Sequence, residues 1–181
     1  QNLYGHKLTD AQNYFLSQLR YAPIKMVTFL IDKLPRENAL LIMVTEEDDN
    51  ELALIVLDHL YGPGRAPAGK GMISFLALVE RQEQWTKETD DDALIAFGKA
   101  RLEKYFPDVA DSVIGIDTRS WQRASTIGVP GTYRHLKAFV DAIDRTSPVL
   151  YTGDYMAGSS VGVAAATGEH VAKRLITMIG R

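Results

Sequence analysis

The chain has 181 residues, 46% of them apolar, and 20 basic against 23 acidic side chains for a formal net charge of −3, enough for one sizeable domain or two small ones with a real core. Without a basic run or a cysteine it offers nothing to nucleic acid or an anionic membrane surface, and it has no disulfide, thiolate metal site or cysteine nucleophile. No apolar run reaches the roughly 18 to 20 residues that span a bilayer, and the polar start Gln1-Asn2-Leu3-Tyr4-Gly5-His6 has no signal-like pattern, so a cytoplasmic setting is the expectation.

In chain order, Leu8 to Leu19 reads as a short helix starting near Thr9 or Asp10. Ile24 to Ile31 is a strand of β-branched and aromatic character, ended by Asp32, Lys33, Leu34 and Pro35. Ala39 to Thr45 and Leu52 to Leu57 are apolar runs joined by Glu46-Glu47-Asp48-Asp49-Asn50-Glu51, whose charge predicts a solvated hairpin loop. The breaker-rich loop Gly62 to Gly71 leads into a strand from Met72 to Glu80. Four strands in succession predict a largely antiparallel sheet. Thr89 is the expected N-cap, with Asp90, Asp91 and Asp92 in the first turn, for a helix carrying Leu94, Phe97, Leu102 and Tyr105 and stopped by Pro107. Val113 to Ile116 starts another strand leading to Trp121. Thr132 is the expected cap of a helix with Leu136, Phe139, Val140 and Ile143 at helical spacing. Val149 to Thr152 then reads as a strand and Ser160 to Ile179 as the last helix.

Two places carry chemistry. In the extended segment Ile24 to Ile31, Lys25 shares a face with Val27, Phe29 and Ile31, so a cation sits among large apolar groups. Such an amine reaches solvent along its stem, beside Tyr21 and Pro23, or meets a partner or cofactor. Near the C-terminus, Pro148-Val149-Leu150-Tyr151-Thr152-Gly153-Asp154-Tyr155 runs into Gly158-Ser159-Ser160-Val161-Gly162-Val163, a strand, a Gly-Asp turn and a small-residue helix start. This is either an ordinary strand-to-helix connection or a cofactor end, where glycine permits close approach and the helix start offers unpaired N–H groups.

These last residues resemble the C-terminal flavin-binding element of the FAD-dependent amine oxidase and protoporphyrinogen oxidase superfamily. The resemblance implies an α+β fold: a largely antiparallel substrate-domain sheet with covering helices over residues 1–120, then a C-terminal strand-helix return, 121–181, to a flavin-binding domain. It also implies FAD as cofactor and a small or hydrophobic organic substrate. Asp154, beside Gly153, would bind the ribityl or phosphate-linking part of FAD, its alternative being to cap its own turn. Ser160, Val161 and Gly162 would lie over the pyrimidine edge. Ile24-Lys25-Met26-Val27 is similar to the strand on which amine oxidases place a lysine that holds a water at flavin N5. Trp121, with Gly128-Val129-Pro130-Gly131-Thr132-Tyr133, resembles the Trp and Pro-Gly-Tyr segment before the penultimate helix, the alternative being a core Trp.

Some of the pattern is absent. The sequence has no G-x-G-x-x-G turn with an acidic residue about 20 positions on, so the N-terminal dinucleotide-binding part is missing and the ADP end of FAD would be held by another segment or a partner chain; Gln1 reads as a cut point. Ser160 stands where amine oxidases carry an aromatic residue, and no cysteine is present for a covalent flavin link. Both differences, and the Gly64-Arg65-Ala66-Pro67-Ala68-Gly69-Lys70 loop, favour the protoporphyrinogen oxidase side of the superfamily, although a structural hairpin is the first explanation of the loop itself. His6, His59, His135 and His170 are scattered without metal-site spacing, and Ser159-Ser160 lacks a G-x-S-x-G frame, so no metalloenzyme or hydrolase is expected. The second reading is a non-catalytic ligand-binding or assembly module on the same fold, and either is compatible with a homo-oligomer.

Overall fold

Alternation along Arg20–Ile31 (β1) turns Lys25, Val27, Phe29 and Ile31 to one face, and all four side chains are buried there. The computed structural model describes residues 7–77, 91–144, 146–147 and 149–180. It divides into a sheet unit, Pro23–Gln122, and a helical unit made of Gln1–Ala22 with Arg123–Arg181.

The sheet has five strands in the order β2-β3-β4-β1-β5, with β2 Leu41–Met43, β3 Leu52–Leu57, β4 Gly71–Ala77 and β5 Val113–Ile127. β1 pairs antiparallel with β4, setting Val27 opposite Phe75 and Phe29 opposite Ile73, and β4 pairs antiparallel with β3, setting Phe75 opposite Ile55. These residues share one face, which the helix α2 (Asp92–Tyr105) covers with Leu94, Phe97 and Leu102. Helix and sheet meet closely because position 98 is glycine: a Cβ there would lie 2.5 Å from Val27 Cγ1 and 2.7 Å from Phe29 Cε2. The rings of Phe29, Phe75 and Phe106 stack edge to face through this core.

In the helical unit, α1 (Asp10–Gln18) starts in a capping box between Thr9 and Gln12, and Gln12 Nε2 reaches the Ala142 carbonyl at 3.3 Å. That carbonyl follows α3 (Thr132–Asp141), whose Leu136 and Phe139 pack with Phe15 as the buried core of the unit. The final helix is α4 (Val161–Ile179).

Several expectations need correction. Val149–Thr152 is not a strand, because a strand needs a ladder partner and none pairs with it among the described residues; a short 3-10 turn, Asp154–Met156, follows. Gly131, not Thr132, is the N-cap of α3, and the Thr132 hydroxyl instead accepts the Val129 N–H outside the helix. The Glu46–Glu51 loop is not simply solvated. The Asp49 side chain is 6% exposed, and with Glu51 it is held by Arg101 of α2, whose guanidinium also lies over the Phe97 ring. Thr89 and Asp90 lie outside the described residues, and Asp91 is the N-cap of α2. The strand expected to Glu80 is described only to Ala77.

Candidate functional site

Five of the expected site residues gather in the helical unit. Gly153 has φ 145, a conformation that suits glycine, and a Cβ on it would strike the Tyr155 ring at 2.8 Å. Its N–H donates to the Thr167 hydroxyl of α4 at 3.2 Å, and that hydroxyl donates onward to the Val163 carbonyl at 2.9 Å, tying the turn to the helix. The Asp154 carboxylate makes no cap of its own turn and accepts no hydrogen bond among the described residues. Its charge is felt by Tyr21. Burial first, and Asp154 second, push the Tyr21 phenol above its ordinary pKa, against the opposing pull of Arg123.

Ser160 is the N-cap of α4, its Oγ accepting the Val163 N–H at 3.0 Å. The first two N–H groups of the helix, on Val161 and Gly162, have no intrahelical acceptor by geometry, and Val161 is 88% exposed. A Cβ on Gly162 would meet only Ser160 Oγ among the described residues, at 3.7 Å, which is ordinary contact. Ser159 anchors the approach: its Oγ accepts the Thr126 N–H at 3.1 Å and shares a hydrogen bond with Ser125 Oγ at 2.7 Å. A carboxylate without a hydrogen-bonding partner among the described residues and a helix start whose first N–H groups lack an intrahelical acceptor fit the polar chain and the electron-rich edge of a flavin, respectively.

Lys25 and Trp121 belong to the sheet unit, on β1 and β5. Lys25 is 4% exposed and forms an ion pair with Asp91, which also accepts the Thr118 hydroxyl of β5; the lysine hydrogen bond first, then Thr118, hold the Asp91 carboxyl below its ordinary pKa. A buried ammonium needs such a counter-charge. Trp121 is 45% exposed, which sets aside the core Trp alternative. The residues that sequence reasoning missed are Tyr21, Ser159, Thr167, Asp91 and Thr118. Thr167 had a signal, since it lies seven residues after Ser160 and so on the same helix face.

The family model described as "Flavin containing amine oxidoreductase" matches residues 4–176. No curated protein gives a match. A crystal structure described as a "putative protoporphyrinogen oxidase" from Exiguobacterium sp. 255-15 superposes with a TM-score of 0.70 at 13% identity over 95% of this chain, a likeness of fold. The chain spans 38% of that structure's length.

Among the described residues no helix is long and apolar enough to cross a membrane.

Proposed function

The chain belongs to the flavin containing amine oxidoreductase family, and from that premise we propose that it is part of an FAD-dependent oxidoreductase acting on a small or hydrophobic organic substrate, of the amine oxidase or protoporphyrinogen oxidase kind. Bound flavin would supply the acceptor for the hydride, which carries both electrons, removed from a substrate C–H or N–H bond, and oxygen or another acceptor would take those electrons afterwards. The remaining work belongs to the protein. Asp154 accepts hydrogen bonds from the ribityl or phosphate-linking chain, and the N–H groups of Val161 and Gly162 meet the negative charge that develops at the pyrimidine edge. Lys25, ion-paired with Asp91, orders water for proton and oxygen chemistry, while Trp121 lines the flavin or substrate side. The dinucleotide-binding turn comes from a further N-terminal segment or a partner chain, and the cytoplasm is the proposed compartment.

The observation that carries this reading is the presence, in one unit, of an Asp154 carboxylate that accepts no hydrogen bond among the described residues and of a helix start whose Val161 and Gly162 N–H groups lack an intrahelical acceptor. Asp154→Ala in the full-length, flavin-loaded protein tests it. Loss of a charged hydrogen bond costs about 1.5 to 3 kcal/mol, so flavin affinity should fall roughly 10- to 100-fold with the fold intact. Unchanged flavin affinity with a lower melting temperature would assign Asp154 to its turn instead.

A further inference from the structure

Asp91 behaves unlike an ordinary helix cap. Aspartate is a favoured N-cap because its carboxylate accepts the N–H groups of the first turn. Here Asp91 holds the position, and its backbone carbonyl accepts the Ile95 N–H at 2.9 Å, yet its side chain makes no capping bond. Its φ of −91 and ψ of −6 lie outside the extended region typical of a capping residue. The two carboxylate oxygens are instead divided between two strands: Oδ1 faces the Lys25 ammonium of β1 and Oδ2 accepts the Thr118 hydroxyl of β5. Using both oxygens fixes the plane of the carboxylate and therefore the direction from which it holds the amine.

The helix is placed to make this possible. Gly98 lies seven residues after Asp91, two helical turns on, and so on the same face. It is also where α2 touches Val27 and Phe29, the next two residues on the Lys25 face of β1. One contact sets the distance of the helix from the strand, and the other delivers the carboxylate to the lysine.

We propose that Asp91, braced by Thr118, is a positioning residue that holds the Lys25 amine in one orientation for its work at the flavin. This rests on the flavin reading above. A purely structural ion pair would lower stability when broken but would not act selectively on one half of the reaction.

The test uses Asp91→Asn, Asp91→Glu, Thr118→Val and Lys25→Met in the full-length protein, with two readouts. In flavin-free protein, reductive methylation of Lys25 followed by peptide mass spectrometry should be slow in the parent and in Asp91→Glu. It should be several-fold faster in Asp91→Asn, with Thr118→Val between. In flavin-loaded protein, stopped-flow measurement should show Asp91→Asn slowing reoxidation by oxygen about tenfold, the scale on which groups that orient a functional residue act. Reduction of the flavin by substrate should be spared, and Asp91→Glu should recover most of the loss. If Lys25→Met slows reoxidation while Asp91→Asn changes neither methylation nor either half-reaction, the positioning role is overturned and the flavin reading stands. If Lys25→Met changes neither half-reaction, the role of Lys25 fails and the proposal with it. Should Asp91→Asn not fold, Thr118→Val is measured in its place by the same two readouts, and its failure to change either one overturns the positioning role.

Discussion

The sheet unit closes its own core, and the helical unit does not. In the first, Val27, Phe29, Ile31, Ile55, Ile73, Phe75, Leu94, Leu102 and Phe106 are buried against one another, so both sheet and helix find their apolar partners within residues 23–122. In the second, the buried hydrophobics among the described residues are Phe15, Leu136 and Phe139. The 19-residue helix α4 buries none of its residues, leaving Val161, Ile176 and Ile179 more than two-thirds exposed. An apolar hollow of about 410 Å³ lies alongside it, lined by Val140, Ile143, Leu150, Met156 and Val171 together with His170 and Arg174. Burying an isoleucine side chain gains about 1.5 to 3 kcal/mol, so the exposed face of α4 is a surface that a covering segment would bind strongly. The contrast separates a sheet that buries its own apolar face from a final helix that leaves one open.

The difference can be broken most sharply from the core. Phe29→Ala removes a fully buried ring that touches Phe75 and the helix at Gly98, and should cost about 3 to 5 kcal/mol, read as a large fall in the urea midpoint. A loss under about 1 kcal/mol would mean that the sheet unit is not the stable part of the chain.

Charge should divide the two regions next. Burial tends to raise the pKa of Asp49, but hydrogen bonds from Arg101 and the Glu51 N–H, with the charges of Arg101 and Lys104, outweigh it and hold the carboxyl below its usual range. Asp91 is lowered as well. Carboxyls depressed in the folded state stabilise it above their unfolded pKa of about 3.9, and that stability is lost as pH falls through the lower folded value. In the helical unit, Tyr155 is raised by burial and by Tyr21, Tyr151 and Asp154, as Tyr21 is by burial and Asp154. Phenols raised in the folded state stabilise it fully below about pH 10, and the contribution is lost as pH climbs through the higher folded value. The sheet unit should therefore open first in acid and the helical unit first in alkali. Hydrogen exchange followed by peptide mass spectrometry after brief exposure to about pH 3, below the unfolded carboxyl value, and to about pH 10.5 distinguishes them; the opposite order contradicts the assignment of these shifts.

Much of the sheet was legible in the sequence because alternation and capping are local. The face shared by Lys25, Val27, Phe29 and Ile31 follows from strand geometry alone, and the Thr9 and Ser160 caps from residue type just before a helical pattern. What escaped depends on partners distant in the chain. Arg101 buries Asp49 from some fifty positions away, Trp121 lies open on β5, and Val149–Thr152 is extended in character but lacks a neighbour to pair with. The candidate site divides in the same way. Gly153, Asp154 and the start of α4 were visible as a motif, whereas Asp91 was hidden within the run Asp90-Asp91-Asp92, where a first-turn helix charge explained it equally well.

The smallest effect sharpens the comparison by context. Ile176→Ser on the open face of α4 should change the stability of the 181-residue chain by no more than about 0.5 kcal/mol. In the full-length protein, where a covering segment would bury it, the same change should cost about 1.5 to 3 kcal/mol. Equal costs in both contexts would show that α4 stays uncovered.

Flavin binding measured by calorimetry, with the 181-residue chain and the full-length protein titrated in parallel, tests the central claim most directly. The full-length protein should bind FAD at one equivalent, and the 181-residue chain should bind it weakly or not at all, because on the proposed reading this sequence supplies part of the site but has no G-x-G-x-x-G turn for the ADP end. Tight, stoichiometric binding of FAD by the 181 residues alone would contradict the account.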